Sequence, residues 1–232
     1  FQLDEAANLR SARITRTVIR SQRRFTYEEA QEIIDTGHGD HAEAILSLHR
    51  LAQQLRARRF ERGSIAFDRP EVRFELDEVG KPIAVQIKES KPAHQLIEEF
   101  MLLANRTVAE RIAEPGRRDI SQAITVKGKP AIVYRIHEAP DEEKLRSLAD
   151  FVRRFGYRLK TEGGGEAIAK SLNQLLTDIK GRPEEDMLTM LAIRSMAKAR
   201  YTTAHIGHYG LGFASYTHFT SPIRRYPDLM VH

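Results

Sequence analysis

The chain has 232 residues, of which 41% are hydrophobic and 30% are charged, so it is long enough to bury one large core or two small ones. It contains no cysteine, which excludes disulfides, thiolate catalysis and cysteine-ligated zinc. No apolar run reaches the length of about 18 residues that a membrane span needs, and no signal peptide opens the chain. We therefore expect a globular protein with no membrane partner and a cytoplasmic location.

The charge distribution favours a polyanionic partner more clearly than the net charge of +5 does. Between Met187 and Pro227 there is no Asp or Glu. Basic and imidazole side chains are frequent there: Arg194, Lys198, Arg200, Arg224 and Arg225, with His205, His208 and His218. This segment is predicted to face an anion. For the opening 24 residues, which are also rich in arginine, a solvated surface explains the charge equally well.

Hydrophobic patterns in the first half predict both strands and helices. The β-branched residues over 12–20 indicate a strand, and Thr26 is suited to cap the helix that follows. An apolar stripe over 41–59 predicts a long amphipathic helix. From residue 64 the pattern alternates, first in SIAF at 64–67 and then over 72–87, where it predicts a β-hairpin.

The second half reads as mostly helical. Helical spacing recurs over 94–112, 141–155, 166–180 and 184–200, and only the strand-like segment 131–136 interrupts it. The predicted fold class is α+β, with a mixed sheet in the N-terminal half packed with several amphipathic helices and a mostly helical C-terminal half.

The C-terminal string HYGLGFASYTHFTSPIRRYPDLMVH carries a helix-start signal. Ser221 followed by Pro222 has the form of an N-cap with proline at the first helical position. Pro227 then either kinks this helix or begins a new segment, because proline removes an intrahelical hydrogen bond.

Two arginines lie close to this predicted helix start, where the backbone already makes the environment positive. A cation there is disfavoured by roughly 0.3 to 1 kcal/mol, so Arg224 and Arg225 are best explained by a bound anion such as a phosphate. The alternative is that Asp228 pairs with one of them on the helix surface, but a single carboxylate neutralises only one arginine.

At this point the sequence resembles a known family. The string YTHFTSPIRRYPDLMVH, preceded by HYGLGFAS, is similar to the signature of the ribonuclease II/ribonuclease R (RNB-domain) exoribonucleases. Further counterparts follow in the family's order and favour the ribonuclease R branch: VIRSQRRFTYEEAQ, RGSIAFDRPEVRFELDEVGKP, HQLIEEFMLLAN, YRIHEAP and DMLTMLAIRSMAKARY. The resemblance implies a partial RNB catalytic domain and magnesium-dependent, processive 3′-to-5′ hydrolysis of single-stranded RNA to 5′-nucleotides.

The resemblance also implies roles for individual residues. Arg224 matches the arginine that contacts the scissile phosphate, Glu98 an acid that holds the terminal nucleotide, and Tyr27 an aromatic that positions the 3′ end. The residues expected to bind RNA are Phe67, Arg225, Ser221 and His218. Each of the isolated residues also has a structural explanation: Tyr27 as core or rim, Phe67 as an inward strand residue, and Glu98 as a solvated helix position.

The chain departs from the family in its acidic residues. The family's metal site depends on closely spaced aspartates upstream of the segment matched here, and Asp4 and Glu5 match a linking strand instead. We therefore expect no metal ligands in this chain, Mg²⁺ held mainly by upstream residues, and no activity from residues 1–232 alone. They would form the C-terminal portion of the catalytic domain, without flanking RNA-binding modules, in a monomeric protein.

Two other functions compete with this interpretation. The first is a non-catalytic RNA-binding scaffold of the same fold, with salt-sensitive affinity and no cleavage. The second is a metal-dependent hydrolase that uses His205, His208 and His218, although no acid lies near them in sequence to serve as the base.

Overall fold

The chain alternates helices with short strands. The computed structural model describes residues 1–15, 17–67, 71–88, 90–113, 132–221 and 224–231. The elements are β1 (Gln2–Leu3), β2 (Leu9–Ser11), α1 (Tyr27–Thr36), α2 (Ala42–Glu61), β3 (Glu71–Leu76), β4 (Pro82–Lys88), α3 (Pro92–Ala113), β5 (Tyr134–Ile136), α4 (Glu142–Arg153), α5 (Gly165–Asp178), α6 (Glu185–Ser195), β6 (Arg200–Thr202), a 3-10 turn (Tyr209–Leu211) and α7 (Tyr226–Val231). Within the described ranges, no helix has the length and apolar character required to cross a membrane.

Helices α1, α2 and α3 pack against one another in pairs, and all three lie where the sequence predicts them. The start of α1 is a capping box: the Thr26 hydroxyl accepts a hydrogen bond from the Glu29 backbone N–H at 3.1 Å. In return, the Glu29 carboxylate accepts one from the Thr26 N–H at 2.7 Å. Each bond satisfies a donor that the helix itself leaves unpaired.

Strands β3 and β4 form the predicted antiparallel hairpin. Its turn closes with a hydrogen bond from the Asp77 N–H to the Lys81 carbonyl at 2.9 Å, and Gly80 there has a φ of 82°. The preceding segment 64–67 was expected to be part of the sheet region but has no regular structure. The backbone N–H of Ile65 instead donates to the carbonyl of Gly210 at 3.0 Å, in a distant loop.

The largest core lies among helices α4, α5 and α6, which confirms that this part of the chain is helical. Its most deeply buried side chains are Leu145, Val152, Leu172 and Leu188. Helix α6 ends at Ser195, five residues before the predicted end at 200. The chain then becomes extended, because residues 200–202 pair with β5 as strand β6.

The α+β class is confirmed, but the sheet is divided. In the described part of the chain the strands form three separate antiparallel pairs, β1 with β2, β3 with β4 and β5 with β6, and not one mixed sheet. The strand predicted over 12–20 is wrong. Strand β2 ends at Ser11, and the side chains of Val18 and Ile19 are exposed (Arg16 lies outside the described residues). A strand needs a partner strand for its backbone hydrogen bonds, and none of the described strands pairs with this segment.

A buried ion pair joins α2 to α3. Arg59 and Glu99 have side chains only 6% and 3% exposed, and Arg59 Nη2 lies 2.5 Å from Glu99 Oε1. Arg59 Nη1 also donates to the Ser64 hydroxyl at 2.8 Å, and that hydroxyl donates to the Gly210 carbonyl at 3.1 Å. One guanidinium therefore connects two helices to the loop that precedes the C-terminal segment.

Replacing Arg59 by Ala is expected to lower the free energy of unfolding by about 3 kcal/mol, since it leaves the Glu99 carboxylate buried without its main partner. Urea unfolding measures this change. The matched control is Arg146→Ala, which breaks the exposed pair with Glu142 on α4 and is expected to cost less than about 1 kcal/mol. Equal losses in the two variants would contradict the structural role given to the buried pair.

Candidate nucleic-acid interface

A glycine-rich loop, residues 207–212, positions the C-terminal segment against β5. The Gly210 N–H donates to Nδ1 of His137 at 2.9 Å, while Nε2 of the same ring hydrogen-bonds the Ala197 carbonyl at 2.7 Å. A Cβ on Gly210 would lie 2.9 Å from His137 Nδ1, so only glycine allows this approach. Beyond the loop, the Thr217 hydroxyl donates to the Val133 carbonyl at 2.8 Å.

Asn105 ties the same segment to α3. Its side chain is 2% exposed, and its Nδ2 donates to the Tyr216 hydroxyl at 3.1 Å and to the Thr220 hydroxyl at 3.4 Å. Its Oδ1 accepts from the Phe219 N–H at 3.4 Å. Sequence reasoning missed Asn105, because a single amide on a helix carries no local sign that it will contact residues more than a hundred positions away.

The two arginines predicted to bind phosphate lie just before a short helix. Helix α7 begins at Tyr226, so Pro227 occupies its second position, where a missing donor costs nothing. The predicted helix start at Ser221–Pro222 falls on residues 222 and 223, which lie outside the described residues; the Arg224 N–H donates to the Ser221 carbonyl at 3.2 Å. Of the two alternatives for Pro227, the structure therefore contains the second: Pro227 lies at the start of a new helix and does not kink an earlier one.

Neither arginine is neutralised by a described carboxylate. Asp228 is 1% exposed, and its Oδ1 accepts from the Ser221 backbone N–H at 2.9 Å. It thus holds the backbone of the turn and forms no ion pair with Arg224 or Arg225. The Arg224 side chain is exposed, whereas Arg225 Nη1 is buried and has no hydrogen-bond partner among the described residues.

His218 lies beside these arginines as a neutral ring. Burial is the largest cause that lowers the pKa of its imidazole to about 4, and the nearby charges of Arg225, Arg135 and Arg224 contribute to the same shift. Asp228 acts in the opposite direction. Near neutral pH, His218 therefore serves as a hydrogen-bonding ring next to three guanidinium groups, and not as a fourth cation.

Tyr27, the first residue of α1, and Glu98 of α3 both lie beside His94 of α3. The ring of Tyr27 stacks on that of His94, with centroids 4.0 Å apart and planes 13° apart. Glu98 follows His94 by one turn of α3, and its side chain is 45% exposed. Arg59 Nη2 approaches it at 3.4 Å. Asn105 follows Glu98 by two turns, about 10 Å along the helix axis. Helix α3 therefore carries Glu98 and also holds the segment that contains the two arginines.

Phe67 belongs to another part of the molecule. It is half-buried and packs against the core cluster of helices α4–α6. The neighbouring Ala66 N–H donates to Oδ1 of Asn173 on α5 at 2.9 Å. No described contact joins Phe67 to the arginines or to Glu98. The structure therefore brings the predicted site residues together in two groups and leaves Phe67 apart. One group is Tyr27 with Glu98, and the other is His218 with Ser221, Arg224 and Arg225.

A family model described as "RNB domain" matches residues 1–232. The chain belongs to the RNB domain family. It is 39% identical to ribonuclease R of Aquifex aeolicus and 35% identical to ribonuclease R of Vibrio cholerae, over 99% of the chain in both comparisons. The chain spans 31% and 27% of the length of these two relatives.

Solved structures agree with this assignment. RNase R of Mycoplasma genitalium in complex with ribose methylated single-stranded RNA superposes with a TM-score of 0.75 and 27% identity, over 90% of this chain and 31% of that chain. Yeast Ssd1, described as a pseudonuclease, superposes with a TM-score of 0.60 over 90% of this chain and 24% of that one. At 21% identity, that likeness shows the fold alone.

The described residues do not fit a metal centre. They contain no group of three His, Cys, Asp or Glu side chains placed to hold a metal ion. The histidines of the competing hydrolase hypothesis are engaged elsewhere: the His205 ring hydrogen-bonds the Ser215 hydroxyl, and His208 Nδ1 accepts from the Leu211 N–H at 3.2 Å.

The depressed pKa of His218 makes stability depend on pH. Because the folded value of about 4 lies below the ordinary 6.5, the unfolded chain binds more protons between these two pH values. The free energy of unfolding is therefore expected to fall as pH drops through that window, by up to about 1.4 kcal/mol per pH unit from this group. His208, whose pKa burial lowers to about 3, acts in the same direction.

Urea unfolding at several pH values tests this expectation. His218→Gln should show a smaller loss of stability between pH 6.5 and 4 than the unchanged protein. His38→Gln, in the exposed turn after α1, is the control and should keep the full pH dependence. An unaltered slope in His218→Gln would show that the ring does not stay neutral in the folded state.

Proposed function

We propose that the protein containing this chain is a processive 3′-to-5′ exoribonuclease that hydrolyses single-stranded RNA to 5′-nucleotides. Residues 1–232 act as the C-terminal portion of its catalytic domain and supply phosphate, ribose and base contacts. The observation that carries the proposal is the pair Arg224 and Arg225, which lies beside the neutral ring of His218 and which no described carboxylate neutralises. Membership of the RNB family and the relatives named ribonuclease R support the reaction.

Arg224 is suited to stabilise the reacting phosphate. In the hydrolysis, a water oxygen attacks phosphorus and the ribose 3′ oxygen leaves, so negative charge increases on the non-bridging oxygens. A guanidinium is planar, permanently charged and able to donate two parallel hydrogen bonds to such oxygens. Arg225, Ser221 and His218 complete the surface on which the phosphate would lie.

Glu98 and Tyr27 are suited to hold the terminal nucleotide. A carboxylate accepts hydrogen bonds from ribose hydroxyls, which supports a preference for RNA over DNA. Arg59 Nη2 and Arg56 Nη1 approach the Glu98 oxygens at 3.4 and 4.0 Å. Tyr27 keeps an exposed ring on its stacked partner His94, and Phe67 offers a half-buried ring for stacking against a base.

The proposal extends to the metal and to the cellular context. The family resemblance supports Mg²⁺ as the metal, with its ligands and the group that activates water in parts of the protein other than residues 1–232. A cytoplasmic location and a monomeric state remain predictions from the sequence.

The proposed activity predicts a defined product pattern. The full-length protein, incubated with Mg²⁺ and a 5′-labelled single-stranded RNA, is expected to give a ladder of products that shortens from the 3′ end. Chelation of the metal by EDTA should stop the reaction. RNA that is bound but stays intact in the presence of Mg²⁺ would contradict the exonuclease and favour the RNA-binding scaffold.

Arg224→Ala is expected to reduce kcat on the order of 100-fold or more, since its contact strengthens as charge develops on the phosphate. The Kd for RNA should change only a few-fold. Single-turnover kinetics and equilibrium binding of the full-length variant measure the two effects. Arg153→Ala, an exposed arginine of α4 paired with Asp150, is the control and should alter neither. Similar losses in kcat and affinity would reduce Arg224 to a docking residue.

A further inference from the structure

The antiparallel pair β5–β6 carries an outward-facing arginine that the proposed function does not use. In its register, Tyr134 is opposite Thr202, Arg135 opposite Tyr201 and Ile136 opposite Arg200. Tyr134 and Ile136 are 6% and 1% exposed and point into the core. Since strand side chains alternate between the two faces, Arg135 points away from the core, on the face it shares with Tyr201.

Tyr201 connects Arg135 to the site. The guanidinium carbon of Arg135 lies 4.8 Å from the centroid of the Tyr201 ring, which is 44% exposed. On the other side, the Tyr201 hydroxyl is 3.1 Å from Nδ1 of His218, and the two rings are stacked with their planes 19° apart. Arg135, Tyr201 and His218 therefore form one continuous surface that ends at Arg224 and Arg225.

The charge of Arg135 is not neutralised within the described part of the chain. The acid nearest to it in sequence, Glu138, pairs with Arg200 at 2.8 Å. Burial is the largest cause of the lowered pKa of His218, and the charges of Arg225, Arg135 and Arg224 contribute to the same shift. All three guanidinium groups therefore act on the same ring. Three like charges held close together repel one another, and a bound polyanion would offset that repulsion.

We propose that Arg135 is a third arginine that contacts the RNA backbone, at a phosphate of the 3′-terminal nucleotides, and that Tyr201 holds its guanidinium in place. This inference rests on the proposed function of the same site. Stacking on an aromatic ring restricts the guanidinium to a plane and leaves its N–H donors available for phosphate oxygens. Tyr201 is a positioning residue in this arrangement, whereas Arg135 touches the substrate.

The competing explanation is that Arg135 only packs on Tyr201 to stabilise the two strands. The two explanations predict different effects on RNA binding when the charge of one particular phosphate is removed. If Arg135 contacts it, removing the charge of that phosphate weakens binding to the unchanged protein but not to a variant without the arginine. If Arg135 only packs, the variant responds to every neutralised linkage as the unchanged protein does.

The experiment uses the full-length protein in EDTA and single-stranded RNAs that each carry one neutral methylphosphonate linkage near the 3′ end. Arg135→Gln is expected to bind all-phosphate RNA about tenfold more weakly and to lose its sensitivity at one linkage. For this variant, the slope of log Kd against the logarithm of the salt concentration should be smaller by about 0.7. Arg135→Lys, which keeps the charge, should bind with intermediate affinity and also reports on the site if Arg135→Gln does not fold.

Arg153→Gln is the control, since Arg153 is an exposed arginine of α4 that pairs with Asp150 at 3.3 Å. It should bind every RNA as the unchanged protein does. Tyr201→Phe, which loses only the hydroxyl, should retain more affinity than Tyr201→Leu, which loses the ring. Binding of Arg135→Gln and Arg135→Lys that equals that of the unchanged protein, or falls equally at all linkages, would overturn the inference.

The same series separates failure of this inference from failure of the proposed function. If Arg224→Ala loses turnover and Arg135→Gln matches the unchanged protein in binding, the inference about Arg135 is wrong and the proposed function stands. If the unchanged protein neither binds nor shortens RNA, the proposed function itself is wrong, and the inference falls with it.

Discussion

The buried pair of Arg59 and Glu99 is the interaction on which the rest of this structure depends. Two charges taken out of water are tolerated only when each is fully partnered. Arg59 meets this condition by donating to the Glu99 carboxylate and to the Ser64 hydroxyl, which in turn donates to the carbonyl of Gly210. The requirement to satisfy one buried guanidinium thus fixes α2 against α3 and attaches the loop that leads into the C-terminal segment.

Helix α3, which this ion pair holds in place, carries both Glu98 and the Asn105 side chain that binds the C-terminal segment. Glu99 points inward to Arg59, and the adjacent Glu98 consequently points outward, where a ribose can reach it. Two turns after Glu98, Asn105 binds the backbone and side chains of the segment that carries His218 and the arginines. A helix is stiff over this length, so the backbone geometry of α3 sets the distance between Glu98 and Asn105.

Local sequence patterns predicted the helices and the hairpin, but they did not predict contacts between residues that are distant in sequence. The capping box at Thr26 and the alternation in β3 and β4 involve residues close in sequence. The strand expected over 12–20 failed because propensity cannot supply a partner strand, and β6 was missed because its partner lies more than 60 residues away. Arg224 and Arg225 were found through their unusual charge context and the family resemblance. Arg59 and Asn105 act only through partners that folding brings to them.

The separation of charge along the chain explains why no described carboxylate pairs with Arg224 or Arg225. No Asp or Glu occurs between Met187 and Pro227, and the first acid after this stretch, Asp228, is occupied by the backbone of the turn. A two-metal phosphoryl-transfer site needs several carboxylates close together, and such carboxylates beside free guanidinium groups would pair with them before substrate arrived. In the proposed function, the cations lie in this segment and the metal-binding acids lie elsewhere in the protein, which would prevent that mutual neutralisation. The phosphate of the RNA would then complete the charge balance of the site.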